Sequence, residues 1–138
     1  MQKVIEVEEG RSLNFKASAY SPIMYNRLFP GRDFLKDMDA LKNSHDDEKE
    51  ESDTFKMSDY EHFVRIAFLF AYQGLAPGVL QTQEQKDFLA QYPDPWEWVD
   101  SFNTFSIYEI LPQIMDLWYQ NERKIAKGKN RIPAPPGK

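Results

Sequence analysis

FSIYEILPQIMDLWYQN, residues 105–121, is the stretch whose pattern decides the fold. Ser106 stands three residues ahead of Glu109, the S-x-x-E spacing in which a hydroxyl and a carboxylate satisfy two otherwise orphaned N–H groups at a helix start. Phe105 and Ile110 occupy the positions of a hydrophobic staple, which sets the angle at which the chain enters the helix. Ile107, Ile110, Leu111, Ile114, Leu117 and Trp118 recur at helical spacing and share one face. Tyr108, Met115 and Tyr119 widen it, leaving only Glu109, Gln113, Asp116 and Gln120 as a polar strip. So wide an apolar arc reads as the central post of the core. Pro112 lies inside the pattern without an N–H for the ladder, and is expected to kink the helix or restart it.

Working back from this helix, Asp94-Pro95-Trp96-Glu97 supplies an N-cap, a proline at the first helical position and a carboxylate at the third. On the short helix that follows, Trp98, Val99 and Phe102 share a face and Trp96 points elsewhere. Thr82 with Gln85 would cap a further short helix carrying Phe88 and Leu89, after a loop from Gly74 to Gln81. Ser58 and Glu61 have the same capping spacing and open a helix that reaches Gly74. Tyr60, Phe63, Val64, Ala67, Phe68 and Ala71 form its main face, with Ile66 and Phe70 beside it. Its polar strip of His62, Arg65 and Gln73 is narrow and has Leu69 in the middle. Such a helix is either buried on most sides or offers apolar surface to a partner.

Ser21-Pro22 reads as an N-cap and first position for a short helix with Ile23, Met24, Arg27 and Leu28, ending at Phe29-Pro30-Gly31. A second short helix follows, with Asp33 near its start and Phe34, Leu35, Met38 and Leu41 facing inward. SHDDEKEESDTFK, from Ser44 to Lys56, is nearly all charged and reads as a mobile loop. At the front, Val4–Glu8 and Arg11–Ala17 alternate like strands, with Ile5, Val7, Leu13, Phe15 and Ala17 on the apolar side. Glu9-Gly10 between them suits a tight hairpin turn, which must lay its apolar face on helices to be stable. After Lys127, Gly128 and the run IPAPPGK predict an extended, disordered end.

The fold class is therefore mainly α (α+β), an N-terminal β-hairpin packed on a bundle of about five or six helices. Its organisation reads as a single domain over residues 1–122, with an acidic loop at 44–57, and a basic, proline-rich flexible tail at 123–138.

Composition narrows the function. The 138 residues include no cysteine, which removes disulfides and thiolate chemistry and suits a reducing compartment. MQKVIEVEEG has no apolar run and does not read as a signal peptide. FVRIAFLFAY is interrupted by Arg65 and is too short for a bilayer, which needs about 20 apolar residues. Six of the 17 bases follow Glu122, so residues 1–122 carry 11 bases against all 22 acids, a net charge of −11. A body this acidic repels nucleic acid and anionic membranes. The basic tail suits the C-terminal end of a helix dipole.

Chemistry-bearing motifs are sparse. His45 lies in the acidic loop and His62 on a helix, with no spacing that pairs them, and neither H-E-x-x-H nor G-x-S-x-G occurs. The six glycines form no phosphate-cradling loop. The acidic loop lacks the glycine and spacing of a calcium loop. Asp33, Glu61, Glu97 and Glu109 sit in first turns, where the helix dipole accounts for them. The expectation is no catalytic residues, no metal, no cofactor and no enzyme. What is left over is apolar: Leu69, Trp96, Tyr108, Met115 and Tyr119 all fall off the main stripes and are residue types enriched at protein-binding hot spots. These five are the candidate partner-binding residues.

ASAYSPIMYNRLFPGRDFLKDM and DPWEWVDSFNTFSIYEILPQIMDLW, with the helix between them and the hairpin ahead, resemble tail assembly chaperones of siphophages and prophages of Gram-positive bacteria. The resemblance spans most of residues 3–121, and its specific part is the aromatic-rich run from Trp98 to Pro112. It implies a non-enzymatic helper in the bacterial host cytoplasm that binds the long helical tape measure protein, keeps it soluble and helps recruit tail tube subunits. Such helpers are absent from the mature virion, and their genes often yield a longer frameshifted product. The resemblance brings no catalytic residues and leaves a homo-oligomer open. The alternatives are a structural tail or connector protein retained in the virion, and a small nucleic-acid-binding regulator acting through the basic tail.

Overall fold

A computed structural model of the protein describes residues 1–47 and 56–131, with side chains over 1–44 and 56–120. Strands β1 (Gln2–Glu8) and β2 (Arg11–Lys16) form an antiparallel hairpin. Six helices follow: α1 (Ser21–Leu28), α2 (Phe34–Asp47), α3 (Met57–Gln73), α4 (Gln83–Gln91), α5 (Pro95–Asp100) and α6 (Ile107–Arg131). This is the hairpin on a helical bundle that the apolar patterns imply.

In the hairpin, Gly10 takes φ +79°, which a side chain would resist, and its N–H is caught by Glu6 Oε2 at 3.1 Å. A register irregularity between Glu6 and Glu8 closes the turn. Ile5, Val7, Phe15 and Ala17 are buried, as the alternation requires.

The central post is α3 rather than α6. It packs against β2, α1, α2, α4, α5 and α6, while β1 rests on α6. Phe63, Val64 and every residue from Ile66 to Gln73 are buried. Burying each large side chain contributes about 1.5–3 kcal/mol. Six neighbours cover this helix beyond its first turn, so the width of its apolar surface from Phe63 onward reflects position and not display. The apolar face of α6 (Ile107, Ile110, Leu111, Ile114, Leu117, Trp118) is buried as its period demands. Its first two residues after Ile107, Tyr108 and Glu109, stay in solvent. Rings bind the layers together: Trp98 meets Phe68, Phe102 and Phe105 edge-on at 5.2–5.6 Å between centroids. Phe34 bridges Tyr25 and Trp118 in the same manner.

The helix starts test the capping readings one by one. Thr82 Oγ1 accepts from Gln85 N at 3.1 Å and Gln85 Oε1 accepts from Thr82 N at 3.0 Å, the reciprocal box expected. Asp94 caps α5 and Ser106 caps α6, taking Glu97 N at 2.9 Å and Glu109 N at 3.3 Å, though only this half of the expected Ser106–Glu109 box forms. Two readings need correction. α3 begins at Met57, and Asp59, not Glu61, reaches back to the Lys56 N–H at 3.0 Å while also accepting from Ser44 Oγ at 2.9 Å. The tie to Ser44 joins the end of α2 to the start of α3. Ser21 is fully buried and does not cap α1; its hydroxyl bonds Gln73 Oε1 at 2.6 Å, so a tertiary contact has taken the group. Leu35, placed inward by spacing, is instead 52% exposed. Ile23, on α1, is also exposed.

α6 does not restart at Pro112. The proline removes a single ladder donor near the helix start, and buried Ile110, Leu111 and Ile114 on either side hold the chain helical. α6 also continues through Gly128 to Arg131, so the extended end does not begin after Lys127. Straight-chain bases are good helix formers and suit the negative end of the dipole, which offsets about 1 kcal/mol for one glycine. α2 likewise runs on to Asp47, into the stretch read as a loop. Residues 48–55 of that acidic loop and 132–138 of the tail lie outside the described residues.

Candidate partner-binding surface

The five candidate residues separate cleanly. Leu69 is 0% exposed and Met115 6%, so neither can meet a partner. Leu69 sits in the narrow polar strip of α3, but that strip faces other helices, and Met115 fills the core beside the α6 stripe. Tyr119 is half-buried, with the Lys42 ammonium 5.9 Å from its ring centroid. Trp96 and Tyr108 are the two that reach solvent, 41% and 57% exposed. Each is set by a short-range cause: Pro95 and the Asp94 cap aim the first turn of α5, and the Ser106 cap aims that of α6. Burial of Trp98 and of Ile107 and Ile110 fixes the opposite faces inward.

Among the other exposed apolar side chains, Val4 follows from the β1 alternation, while the rest did not show in the spacing. Met1 begins the chain, Val4 stands on the outer face of β1, Ile23 and Leu35 on α1 and α2, Met57 at the start of α3, and Val79 and Leu80 at the tip of the α3–α4 loop. Leu80, 83% exposed, follows Pro77-Gly78, a turn signal that could have marked the tip. Pro22, Phe34 and Leu35 help line a shallow hollow of about 370 Å³ between α1 and α2.

A partly buried polar cluster lies behind Trp96. The Arg65 guanidinium carbon is 5.7 Å from the Trp96 ring centroid, and its Nε donates to Tyr25 Oη at 3.2 Å. Tyr25, fully buried, donates to Asp37 Oδ2 at 2.6 Å. Arg32 grips the same carboxylate with both arms, Nη2 to Oδ1 at 2.8 Å and Nε to Oδ2 at 3.1 Å. Arg65 Nη2 and Arg32 Nη2 also approach His62 Nδ1, at 2.8 and 3.3 Å. A guanidinium carries only donors, so Nδ1 must accept and the imidazole proton sits on Nε2. Burial lowers the His62 pKa from 6.5 more than Asp37 raises it, with Arg65 and Arg32 pushing the same way as burial. Burial, followed by the bond to Asp37, pushes the Tyr25 phenol far above its ordinary range. Gly31, Arg32, Asp33, Lys36, Asp37, Ala40 and His62 surround an open hollow of about 330 Å³ over this cluster. Sequence offered no means of joining Tyr25, Arg32, Asp37, His62 and Arg65, because four separate segments supply them.

Three donors, Tyr25 Oη and two nitrogens of Arg32, converge on the Asp37 carboxylate and fasten α1, the α1–α2 turn and α2 together. Among the described residues no group of three or more His, Asp or Glu side chains could hold a metal ion. No described helix is long and apolar enough to cross a membrane. No family model, curated protein or solved structure matches the chain. The fold and surface define a class only: a helical domain with an N-terminal hairpin and aromatic side chains held outward on rigid helix starts.

Proposed function

We propose that this chain is a phage or prophage tail assembly chaperone. It binds the tape measure protein in the bacterial cytoplasm, keeps it soluble, helps recruit tail tube subunits and leaves before the virion is complete. The observation that carries this reading is the pair of aromatics, Trp96 and Tyr108, held in solvent on capped helices of an acidic body. Rigid aromatics of this kind bury large apolar area on binding with little loss of side-chain entropy. A long amphipathic helix exposes an apolar stripe that aggregates unless covered, and helix-in-groove docking covers it. The net charge of −11 over residues 1–122 keeps the complex dispersed. The resemblance of the Trp98–Pro112 run to such chaperones points the same way.

Co-expression with a tape measure protein tests the reading. The long helical partner should be soluble with this chain and aggregate without it. Trp96→Ala with Tyr108→Ala should weaken capture by roughly tenfold per residue, with the chain still folding cooperatively in denaturant. Equal solubility of the partner with and without this chain would end the proposal.

A further inference from the structure

We propose that His62 is a proton-operated latch that fastens the α1–α2 turn to α3 and transmits its state, through Arg65, to the exposed Trp96. The inference rests on the polar cluster alone and stands apart from the chaperone reading.

In the neutral imidazole, Nδ1 accepts from Arg65 Nη2 at 2.8 Å and from Arg32 Nη2 at 3.3 Å. One side-chain atom of α3 thereby holds an arginine from its own helix and one from the turn ahead of α2. A proton taken from solvent onto Nδ1 converts the acceptor into a donor, and it then faces two cations. Neither arginine bond survives. The new N–H has Asp37 Oδ1 within reach at 3.7 Å, but Arg32 Nη2 already occupies that oxygen at 2.8 Å. Protonation therefore sets His62 and Arg32 in competition for one carboxylate and leaves Arg65 with the Tyr25 hydroxyl as its partner within the cluster, at 3.2 Å. Arg65 is the group lying over the Trp96 ring, so its release reaches the surface.

The groups facing His62 set the direction. Arg32 comes from the α1–α2 turn, Asp37 from α2, and Asp59 and Arg65 from α3 itself; Asp33 and Lys36 share its hollow. Burial and the two arginines oppose the imidazolium, and the two aspartates favour it. The balance is against the charge, so the latch is closed at neutral pH and opens on the acid side of 6.5.

The test is an NMR titration of the full chain from about pH 7.5 to about pH 5, following the histidine rings and the three tryptophan indoles. His45→Gln assigns the second histidine. His62 should titrate below 6.5, and the Trp96 indole should move with the same midpoint. In His62→Gln, which stays neutral, that movement should vanish. In Arg65→Lys, which keeps the charge but loses the fork, His62 should still titrate while Trp96 no longer follows. A Trp96 signal that ignores the His62 midpoint in the unaltered chain overturns the proposal, even where the variants fail to fold. A midpoint at or above 6.5 does so too.

Discussion

Gly74→Ala is the substitution on which the packing of the hairpin turns. Gly74 ends α3 with φ −65° and ψ −11°, angles that alanine adopts freely, so backbone conformation is not the obstacle. The obstacle is β2. A Cβ on Gly74 would stand 2.0 Å from the Asn14 carbonyl oxygen and 2.9 Å from its carbon, both main-chain atoms without a rotamer to escape into. Restoring an ordinary C···O contact of about 3.3 Å moves the strand back by roughly 1 Å. That shift breaks the bond from Asn14 Nδ2 to Gly74 O, 3.1 Å, and strains the one from Lys16 Nζ to Ala76 O, 3.1 Å. Overpacking of this kind costs about 1–3 kcal/mol, and a lost neutral hydrogen bond about 1. Against this, alanine narrows the unfolded ensemble and returns about 0.4–1 kcal/mol. The expected net loss is about 1–3.5 kcal/mol, read by urea unfolding as a lower midpoint with unchanged slope. Gly78→Ala is the control, because nothing lies within 4 Å of a Cβ there, and it should be neutral to within about 0.5 kcal/mol. A Gly74→Ala chain as stable as the unaltered one would show that the hairpin does not bear on the end of α3 as described.

Glu8→Gln tests the other end of the hairpin, where one carboxylate oxygen accepts from Asn103 N at 2.9 Å and Thr104 N at 3.2 Å. Replacing these charge-assisted bonds with neutral ones should cost about 1 kcal/mol and raise amide exchange over residues 101–106. Tyr25→Phe should cost about 1–3 kcal/mol in thermal unfolding, since it strips one donor from buried Asp37 and the acceptor from Arg65. Stability should also depend on pH through His62. Its folded pKa lies below 6.5, so its contribution is fully present above 6.5 and is lost as the pH falls through the folded value. Denaturant midpoints of His62→Gln measured across that window should lack this component, and an identical pH dependence in both chains would refute it.

Sequence alone determined most of the local architecture. The hairpin with Gly10 at its turn, the Thr82–Gln85 box, the Asp94-Pro95 start and the apolar stripe of α6 are all written in residues three or four positions apart. Short-range sterics and hydrogen bonds fix such features, and no distant segment needs to be known. Trp96 was legible for the same reason, since a proline and a cap orient a helix's first turn on their own. Tertiary structure decided which helix became the centre. α3 and α6 have similar apolar arcs, and only the arrangement of six neighbours around α3 buried Leu69 and turned a broad face into core. It also took the Ser21 hydroxyl away from its cap, carried Met115 inward, and brought Tyr25, Arg32, Asp37, His62 and Arg65 from four segments to one point. Burial and long-range charge pairing depend on which surfaces meet, and a period along the chain does not carry that information.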